Sequence, residues 1–106
     1  MKKALVDIVI VNWNAGSYLQ ECVQSIEDNK NENIGNLIIV DNNSSDNSLS
    51  LLPTDKKYIN LIREKLNHGF GKACNIGAAH TNSKYILFLN PDTKINETSI
   101  EETIKF

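Results

Sequence analysis

The amino-acid sequence predicts an α/β fold: a three-layer α/β/α arrangement with helices on both faces of a mostly parallel sheet of about four strands. Short apolar runs rich in β-branched residues alternate with segments of helical periodicity along all 106 residues. No repeat or low-complexity linker interrupts this alternation, which is typical of parallel strands joined by right-handed crossovers. The length fits a single domain, residues 1–106.

The first strand and helix follow directly from the N-terminal pattern. Residues 6–11 (VDIVIV) form a mostly apolar run of the kind that is covered on both faces in parallel sheets. Ser17 and Gln20 have the spacing of a capping box. Apolar residues then recur at helical intervals: Leu19, Cys22, Val23 and Ile26. The pattern predicts an amphipathic helix of about three turns.

The second strand is predicted over residues 37–40 (LIIV) and ends at Asp41. The polar residues 42–46 do not suit the interior of a strand or a helix. They predict a turn that caps a short helix running through Leu52 and stopped by Pro53.

The second half of the chain repeats the alternation. Residues 59–62 predict a third strand and residues 85–89 (YILFL) a fourth, the strongest strand pattern in the sequence. Between them, residues 73–80 predict a helix with small side chains that let it lie close to the sheet: Ala73, Gly77 and Ala78. Residues 96–106 resemble the start of a further helix.

Charge and cysteine content exclude several classes of partner. Eleven basic and thirteen acidic residues are spread along the chain, so bulk charge favours neither nucleic acid nor an anionic membrane surface. No apolar run approaches the roughly 20 residues that span a bilayer. Cys22 and Cys74 lack the spacing of metal ligands and are predicted to be buried, reduced thiols, which fits the cytoplasm.

Polar clusters follow three of the predicted strands, at residues 12–14, 41–46 and 90–92. In parallel sheets, ligands bind at the carboxyl ends of the strands, where the strand order reverses. The sequence therefore predicts a binding site at this edge of the sheet, with Asp41 and Asp92 both on it.

Each candidate side chain also has a purely structural interpretation. Asp41 is either a turn former or an acceptor for the imide N–H of uracil or thymine. Asp92 is either part of an Asn-Pro turn or a ligand of a divalent cation completed by diphosphate oxygens and water. Lys72 follows two glycines, which are either packing residues or a loop that approaches a phosphate.

The remaining distinctive residues are predicted to be structural. His68 and His80 have no partner at ligand spacing and are expected to be solvated or hydrogen-bonded. Trp13 fits the core better than a stacking surface, and Cys22 and Phe88 are predicted to be core residues.

Taken together, four segments resemble the family 2 glycosyltransferases of the GT-A fold, and more narrowly their rhamnosyltransferase-like branch. They occur in the family's order and cover nearly the whole chain: residues 9–14 (VIVNWN), 39–46 (IVDNNSSD), 67–77 (NHGFGKACNIG) and 88–93 (FLNPDT). The resemblance implies the Rossmann-like, nucleotide-binding half of a GT-A fold.

The resemblance also implies an activity. It implies an inverting transferase that uses Mg²⁺ or Mn²⁺ to move a sugar from a UDP- or dTDP-sugar to a glycan or lipid-linked acceptor in cell-surface polysaccharide synthesis. Asn90 and Asp92 would stand where the family has its D-x-D motif, with Asp92 on the metal. The implied nucleotide-binding residues are Asn12, Asn14, Asp41, Asn43, Lys72 and Asn90.

The end of the chain departs from the family, whose members run to roughly twice this length. Their general base comes from the part that is missing here, so we assign no catalytic residue and expect the base beyond Phe106. The chain is therefore expected to be a truncated, inactive donor-binding domain. Apolar surface left at the fourth strand or the terminal helix is expected to favour a homodimer. The full-length protein is expected in the cytoplasm, at the inner face of the membrane.

Two other classes of protein share the alternation. A receiver-like signalling or nucleotide-binding module needs an acidic cluster after the first strand and a phospho-accepting Asp after the third. The sequence has Asn12 and Asn14 at the first place and residues 63–65 (REK) at the second. A nicotinamide-dependent dehydrogenase needs a G-x-G-x-x-G turn after the first strand, where only Gly16 is present.

Overall fold

A computed structural model of the chain describes residues 4–95. The elements in chain order are β1 (Val6–Asn12), α1 (Ser17–Asn29), β2 (Ile34–Asp41), β3 (Ile59–Arg63), α2 (Phe70–Ala78) and β4 (Tyr85–Leu89). The four strands form one sheet in the order β3-β2-β1-β4, and every pairing is parallel. The predicted four-stranded parallel sheet is confirmed.

The core is divided by the sheet into two clusters, because successive strand residues point to opposite faces. Ile8 and Ile10 of β1 belong to the larger cluster together with Leu19, Cys22, Val23 and Ile26 of α1. Val9 and Val11 belong to the smaller one together with Ala73 of α2. The helices thus cover opposite faces, and the three-layer arrangement is confirmed.

Local structure departs from prediction at the helix starts. Residues 48–51 form turns, so the predicted short helix through Leu52 is wrong. The predicted capping box is wrong as well, because α1 has Gly16 at its N-cap, with φ 59° and no side-chain cap. The N–H of Gly16 instead donates to the carboxylate of Asp46 (3.0 Å), a residue of the loop after β2. Helix α2 begins at Phe70, earlier than predicted. The predicted helix over residues 96–106 lies outside the described residues.

Strand β4 lies at an edge of the sheet and keeps apolar side chains exposed. Its register with β1 places Phe88 opposite Val9, on the face covered by α2. That helix packs over β1 and β2, and Ile86 and Phe88 remain 37% and 45% exposed. The prediction that Phe88 is a core residue is therefore wrong. Whether this surface pairs two copies of the chain stays a prediction.

Within residues 4–95, no helix combines the length and the apolarity that crossing a bilayer requires.

Helix α2 approaches the sheet closely at Gly77. A Cβ there would lie 2.5 Å from Val9 Cγ1 and 3.2 Å from Val40 Cγ2. We therefore expect Gly77→Ala to lower the free energy of unfolding by about 1–3 kcal/mol through overpacking. Urea denaturation measures this change.

The matched control is Gly71→Ala in the same helix. A Cβ at Gly71 would meet no described atom within 4 Å, so the higher helix propensity of alanine is expected to raise stability by about 1 kcal/mol. Equal stability of the two variants would contradict close packing of α2 at Gly77.

Candidate functional site

The strand order places the polar clusters on one edge of the sheet. Because all strands are parallel, residues 12–14, 41–46 and 90–92 follow the carboxyl ends of β1, β2 and β4 on the same edge, called the rim below. The strand order reverses between β1 and β4, the position at which open α/β sheets bind ligands. The ends of β2 and β4 flank β1 and are about 10 Å apart, two strand spacings.

A buried amide lies at the centre of the rim. The Asn12 side-chain nitrogen Nδ2 faces Asp41 Oδ1 (2.9 Å), Ser44 Oγ (3.1 Å) and Ser48 Oγ (2.9 Å). The Asn12 oxygen Oδ1 is buried and has no hydrogen-bond partner among the described residues. Buried polar atoms are normally satisfied, so this unpaired oxygen is an exception among the described residues of the rim.

Asp41 stabilises the turn after β2, one of the two roles considered for it from the sequence. Its side chain is 3% exposed. Oδ1 accepts hydrogen bonds from Asn12 and from the Ser44 hydroxyl (2.7 Å), and Oδ2 accepts one from the Ser44 backbone N–H (3.0 Å). The carboxylate therefore closes the turn after β2. Its contact with a nucleobase stays a prediction.

Asn14 joins the loops that follow β1 and β2. It has a left-handed backbone, φ 51°. Its side-chain oxygen accepts the backbone N–H groups of Ser45 (2.7 Å) and Asp46 (3.2 Å), and its own N–H donates to Ser44 Oγ (2.9 Å). Asn43 is also left-handed, φ 63°, but its side chain is exposed.

Sequence reasoning missed three polar side chains of this region, Asn42, Ser44 and Ser48. Ser44 and Ser48 contact the Asn12 amide, and Asn42 is buried between β2 and the loop before α2. The sequence marks residues 42–48 as polar, but adjacent asparagines and serines look alike in it. Only the partners, 26 to 36 positions away along the chain, separate them.

Lys72 lies in the first turn of α2 and is exposed. The loop before it contains His68, whose Nε2 is 3.1 Å from a carboxylate oxygen of Glu64. His80 Nδ1 lies 2.9 Å from the carbonyl oxygen of Ile76. Both histidines are thus hydrogen-bonded within the protein, as predicted.

Asn90 and Asp92 lie where β4 leaves the sheet, beside α1. The thiol of Cys22 is 3.9 Å from the carbonyl oxygen of Asn90. Burial, together with the negative charge of Asp92, raises the pKa of Cys22 to about 11. Cys22 is therefore a protonated core thiol. Both cysteines are free, as predicted, but Cys74 is half-buried rather than buried. Asn90 and Asp92 themselves are exposed.

The donor set at Asp92 fits a cation that arrives with a nucleotide. Among residues 4–95, no group of three or more His, Cys, Asp or Glu side chains is arranged to hold a metal ion. Mg²⁺, however, is commonly held by one or two carboxylates together with substrate phosphates and water. The exposed Asp92 carboxylate matches that chemistry, so a cation here would depend on the diphosphate.

Trp13 follows Asn12 on the rim and is 56% exposed, so its predicted place in the core is wrong. Asn12 is the last residue of β1, so Trp13 lies just beyond the strand. Exposed aromatic rings can stack on nucleobases.

Comparison with known proteins identifies the family of the chain. The family model "Glycosyl transferase family 2" matches residues 7–106. The chain is similar to "Glycosyltransferase GlyG" of Streptococcus pneumoniae, with 31% identity over 92% of the chain and 33% of the relative. It is also similar to "Putative teichuronic acid biosynthesis glycosyltransferase TuaG" of Bacillus subtilis, with 27% identity over 98% of the chain and 42% of the relative. The chain thus spans well under half of these relatives.

Two solved structures share the fold. S. aureus TarS 1–349 in complex with UDP-GlcNAc superposes with a TM-score of 0.82 at 18% identity, covering 93% of this chain and 30% of that one. The mannosyltransferase PcManGT from Pyrobaculum calidifontis, in complex with GDP-Man and Mn²⁺, gives 0.85 at 15% identity, covering 99% and 32%. The predicted GT-A type of α/β fold is confirmed. With the family model matching residues 7–106, the chain belongs to glycosyl transferase family 2.

Proposed function

We propose that this chain is the donor-binding part of an inverting, metal-dependent glycosyltransferase. It binds a UDP- or dTDP-sugar, whose sugar is passed to a glycan or lipid-linked acceptor in cell-surface polysaccharide synthesis. The observation that carries the proposal is the rim, where three polar segments meet at the reversal of strand order in a family 2 chain. UDP-GlcNAc in TarS and the teichuronic acid synthesis named for TuaG support the substrate class.

The base end of the donor is assigned to the ends of β1 and β2. Asp41 accepts the imide N–H, and Asn12 holds the Asp41 carboxylate in place through its side-chain nitrogen. Asn14 and Asn43 shape the two loops around the base through their left-handed backbones. Trp13 offers an exposed aromatic ring beside them.

The diphosphate end is assigned to α2 and β4. Lys72 neutralises phosphate charge, and Asn90 hydrogen-bonds the ribose. Asp92 holds Mg²⁺ or Mn²⁺ together with the diphosphate oxygens. When bound, the cation neutralises the charge of the leaving nucleoside diphosphate. The Mn²⁺ in the PcManGT complex supports this choice of cation.

The acceptor and the general base are assigned to sequence beyond residue 106. The relatives extend two to three times as far as this chain. Of the three carboxylates in the described segments of the rim, Asp41 and Asp92 have the roles given above, and Asp46 accepts hydrogen bonds from Gly16 and Ser48. The chain alone is therefore expected to bind donor without turning it over. The full-length protein is proposed to act in the cytoplasm, at the inner face of the membrane.

Isothermal titration with UDP and dTDP, with and without Mn²⁺, tests the proposal. The chain is expected to bind one of the two more tightly with Mn²⁺. Asp92→Ala is expected to weaken binding in Mn²⁺ at least about tenfold. Even the loss of a residue that only hydrogen-bonds to a metal ligand lowers metal affinity by that much. Without Mn²⁺ the same variant is expected to bind like the wild type.

Asp55→Ala is the matched control, an exposed carboxylate in the turn between β2 and β3. It removes the same charge away from the rim and is expected to leave Mn²⁺-dependent affinity unchanged. A folded wild type that binds neither nucleotide would refute the site. Equal losses in Asp92→Ala and Asp55→Ala would show a general charge effect and refute the role of Asp92.

A further inference from the structure

Asn42, the residue after β2, has a buried side-chain amide that hydrogen-bonds to the loop before α2. Its side chain is 2% exposed. Oδ1 accepts the backbone N–H of His68 (3.3 Å), and Nδ2 donates to the backbone carbonyl of Gly69 (3.1 Å). Both ends of the amide are therefore used on two consecutive residues of the loop before α2.

The same loop is attached to β2 at its beginning. The backbone N–H of Glu64 donates to the carbonyl of Asp41 (2.9 Å). The Glu64 carboxylate lies 3.1 Å from His68 Nε2. Residues 64–69 are thus held at both ends against the part of the rim that carries Asp41.

Gly69 connects the Asn42 hydrogen bond to the first turn of α2. Its carbonyl, which accepts the Asn42 amide, also accepts the N–H of Ala73 (3.3 Å) in the first turn of the helix. Its φ of 81° is a left-handed conformation that favours glycine. Lys72 lies between Gly69 and Ala73, so its backbone position depends on that carbonyl.

We propose that Asn42 is a positioning residue for donor binding. By holding the Gly69 carbonyl it sets the distance between Asp41 and Lys72, and hence between the base end and the phosphate end of the site. The inference rests on the proposed function, which places these two residues at opposite ends of a nucleoside diphosphate. A merely structural Asn42 would stabilise the loop without affecting the contribution of Lys72.

A double-mutant cycle separates the two roles, because positions that act through one another give non-additive effects. Affinity in Mn²⁺ for whichever of UDP and dTDP the wild type binds more tightly is measured for the wild type, Asn42→Ala, Lys72→Ala and the double variant. Lys72→Ala is expected to weaken binding about tenfold, as for loss of a charge-assisted hydrogen bond. Asn42→Ala is expected to cost about five- to tenfold, and the double variant only about tenfold.

Hydrogen exchange gives a readout that needs no ligand. Asn42→Ala is expected to speed exchange at the N–H groups of His68 and Ala73, while amides of the β1–β2 pairing keep their protection. Asn42→Asp retains the acceptor for His68 and loses the donor to Gly69, and it is expected to behave like Asn42→Ala in binding. Asn42→Ser, which places an uncharged hydroxyl there, replaces Asn42→Ala if that variant does not fold. Asn60→Ala, an exposed amide on β3, is the control.

Three results would overturn the inference. If the double variant loses the product of the single losses, Asn42 acts independently of Lys72. If Asn42→Ala exchanges faster but binds that nucleotide like the wild type, its role is structural only. If the folded wild type binds neither UDP nor dTDP, the proposed function fails first and this inference fails with it.

Discussion

Replacing Asn12 by Asp is expected to lower the free energy of unfolding at pH 7 by about 3–5 kcal/mol, the range for an uncompensated buried charge. Asn12 is fully buried, and its Nδ2 faces the Asp41 carboxylate at 2.9 Å. The substitution keeps the shape of the side chain but removes this donor. The new carboxylate places a second negative charge next to that of Asp41.

The loss is expected to depend on pH in a defined direction. Two carboxyl groups in contact share a proton, so one of the pair in the folded variant titrates above the value of about 3.9 that Asp has in an unfolded chain. Stability is therefore recovered as the pH falls through that raised folded value. The deficit relative to the wild type is expected to shrink between pH 7 and pH 5.

Urea denaturation at the two pH values measures both effects. Asn60→Asp, the same change on an exposed strand position, is the control and is expected to alter stability by less than about 0.5 kcal/mol. If Asn12→Asp is as stable as the control at pH 7, the contact between Asn12 and Asp41 is not present in solution.

Replacing Asp7 by Asn is the second substitution with a large expected effect, a loss of about 2–4 kcal/mol at pH 7. Asp7 is fully buried at the start of β1. Its Oδ1 accepts hydrogen bonds from Asn36 N (2.8 Å) and Ser83 Oγ (2.7 Å), and its Oδ2 accepts one from Asn82 N (2.9 Å). An amide has one acceptor oxygen only, so at least one of these donors loses its acceptor and faces the amide N–H₂ group instead.

The carboxylate of Asp7 also explains why residue 35 is glycine. A Cβ at Gly35 would collide with Asp7 Oδ1. The carboxylate therefore joins the start of β2 and the segment before β4 to β1, at the end of the sheet opposite the rim. Its expected effect is on stability alone, so UDP affinity of the folded fraction should not change.

The pH dependence of Asp7→Asn differs from that of Asn12→Asp. Burial acts to raise the pKa of Asp7, but the hydrogen bonds from Asn36, Asn82 and Ser83 together lower it below its ordinary value. A group with a lowered folded pKa contributes stability above its unfolded pKa of about 3.9, and this contribution is lost as the pH falls through the folded value. The deficit of Asp7→Asn should thus persist from pH 7 to pH 5 and shrink only below about pH 4.

Urea denaturation at pH 7, 5 and 3 measures this difference, with Asp55→Asn as the exposed control. Equal stability of Asp7→Asn and Asp55→Asn at pH 7 would show that the buried carboxylate contributes nothing. A deficit that disappears already at pH 5 would contradict the lowered pKa.

The strands and the first helix could be predicted because their patterns are local. The apolar runs that became β2 and β4 are continuous, and Asp7 alone interrupts the run that became β1. The helical spacing of Leu19, Cys22, Val23 and Ile26 is the buried face of α1. The segment after β2 could not be predicted in the same way. Its backbone N–H groups bond to Asn14 in another loop, so no helix is needed to satisfy them.

The exposure of Phe88 and Trp13 could not be predicted from the local sequence pattern either. Phe88 has the sequence context of a core residue, yet β4 has β1 on one side and no described strand on the other. Trp13 follows the most buried strand and is nevertheless exposed. The exposure of Phe88 follows from α2 packing over β1 and β2 rather than over β4, which is a property of the packed structure.

The sequence by itself determined a parallel α/β sheet with polar segments at its strand ends, because strand and helix periods are set by neighbouring residues. Only the tertiary structure decided which of those polar residues are fixed in the interior and which face solvent. It buries Asn12 and Asn42 as bridges between loops and leaves Asn43 and Lys72 exposed. The reason is that a buried amide must find its partners, and these lie on segments that the sequence separates and the fold brings together.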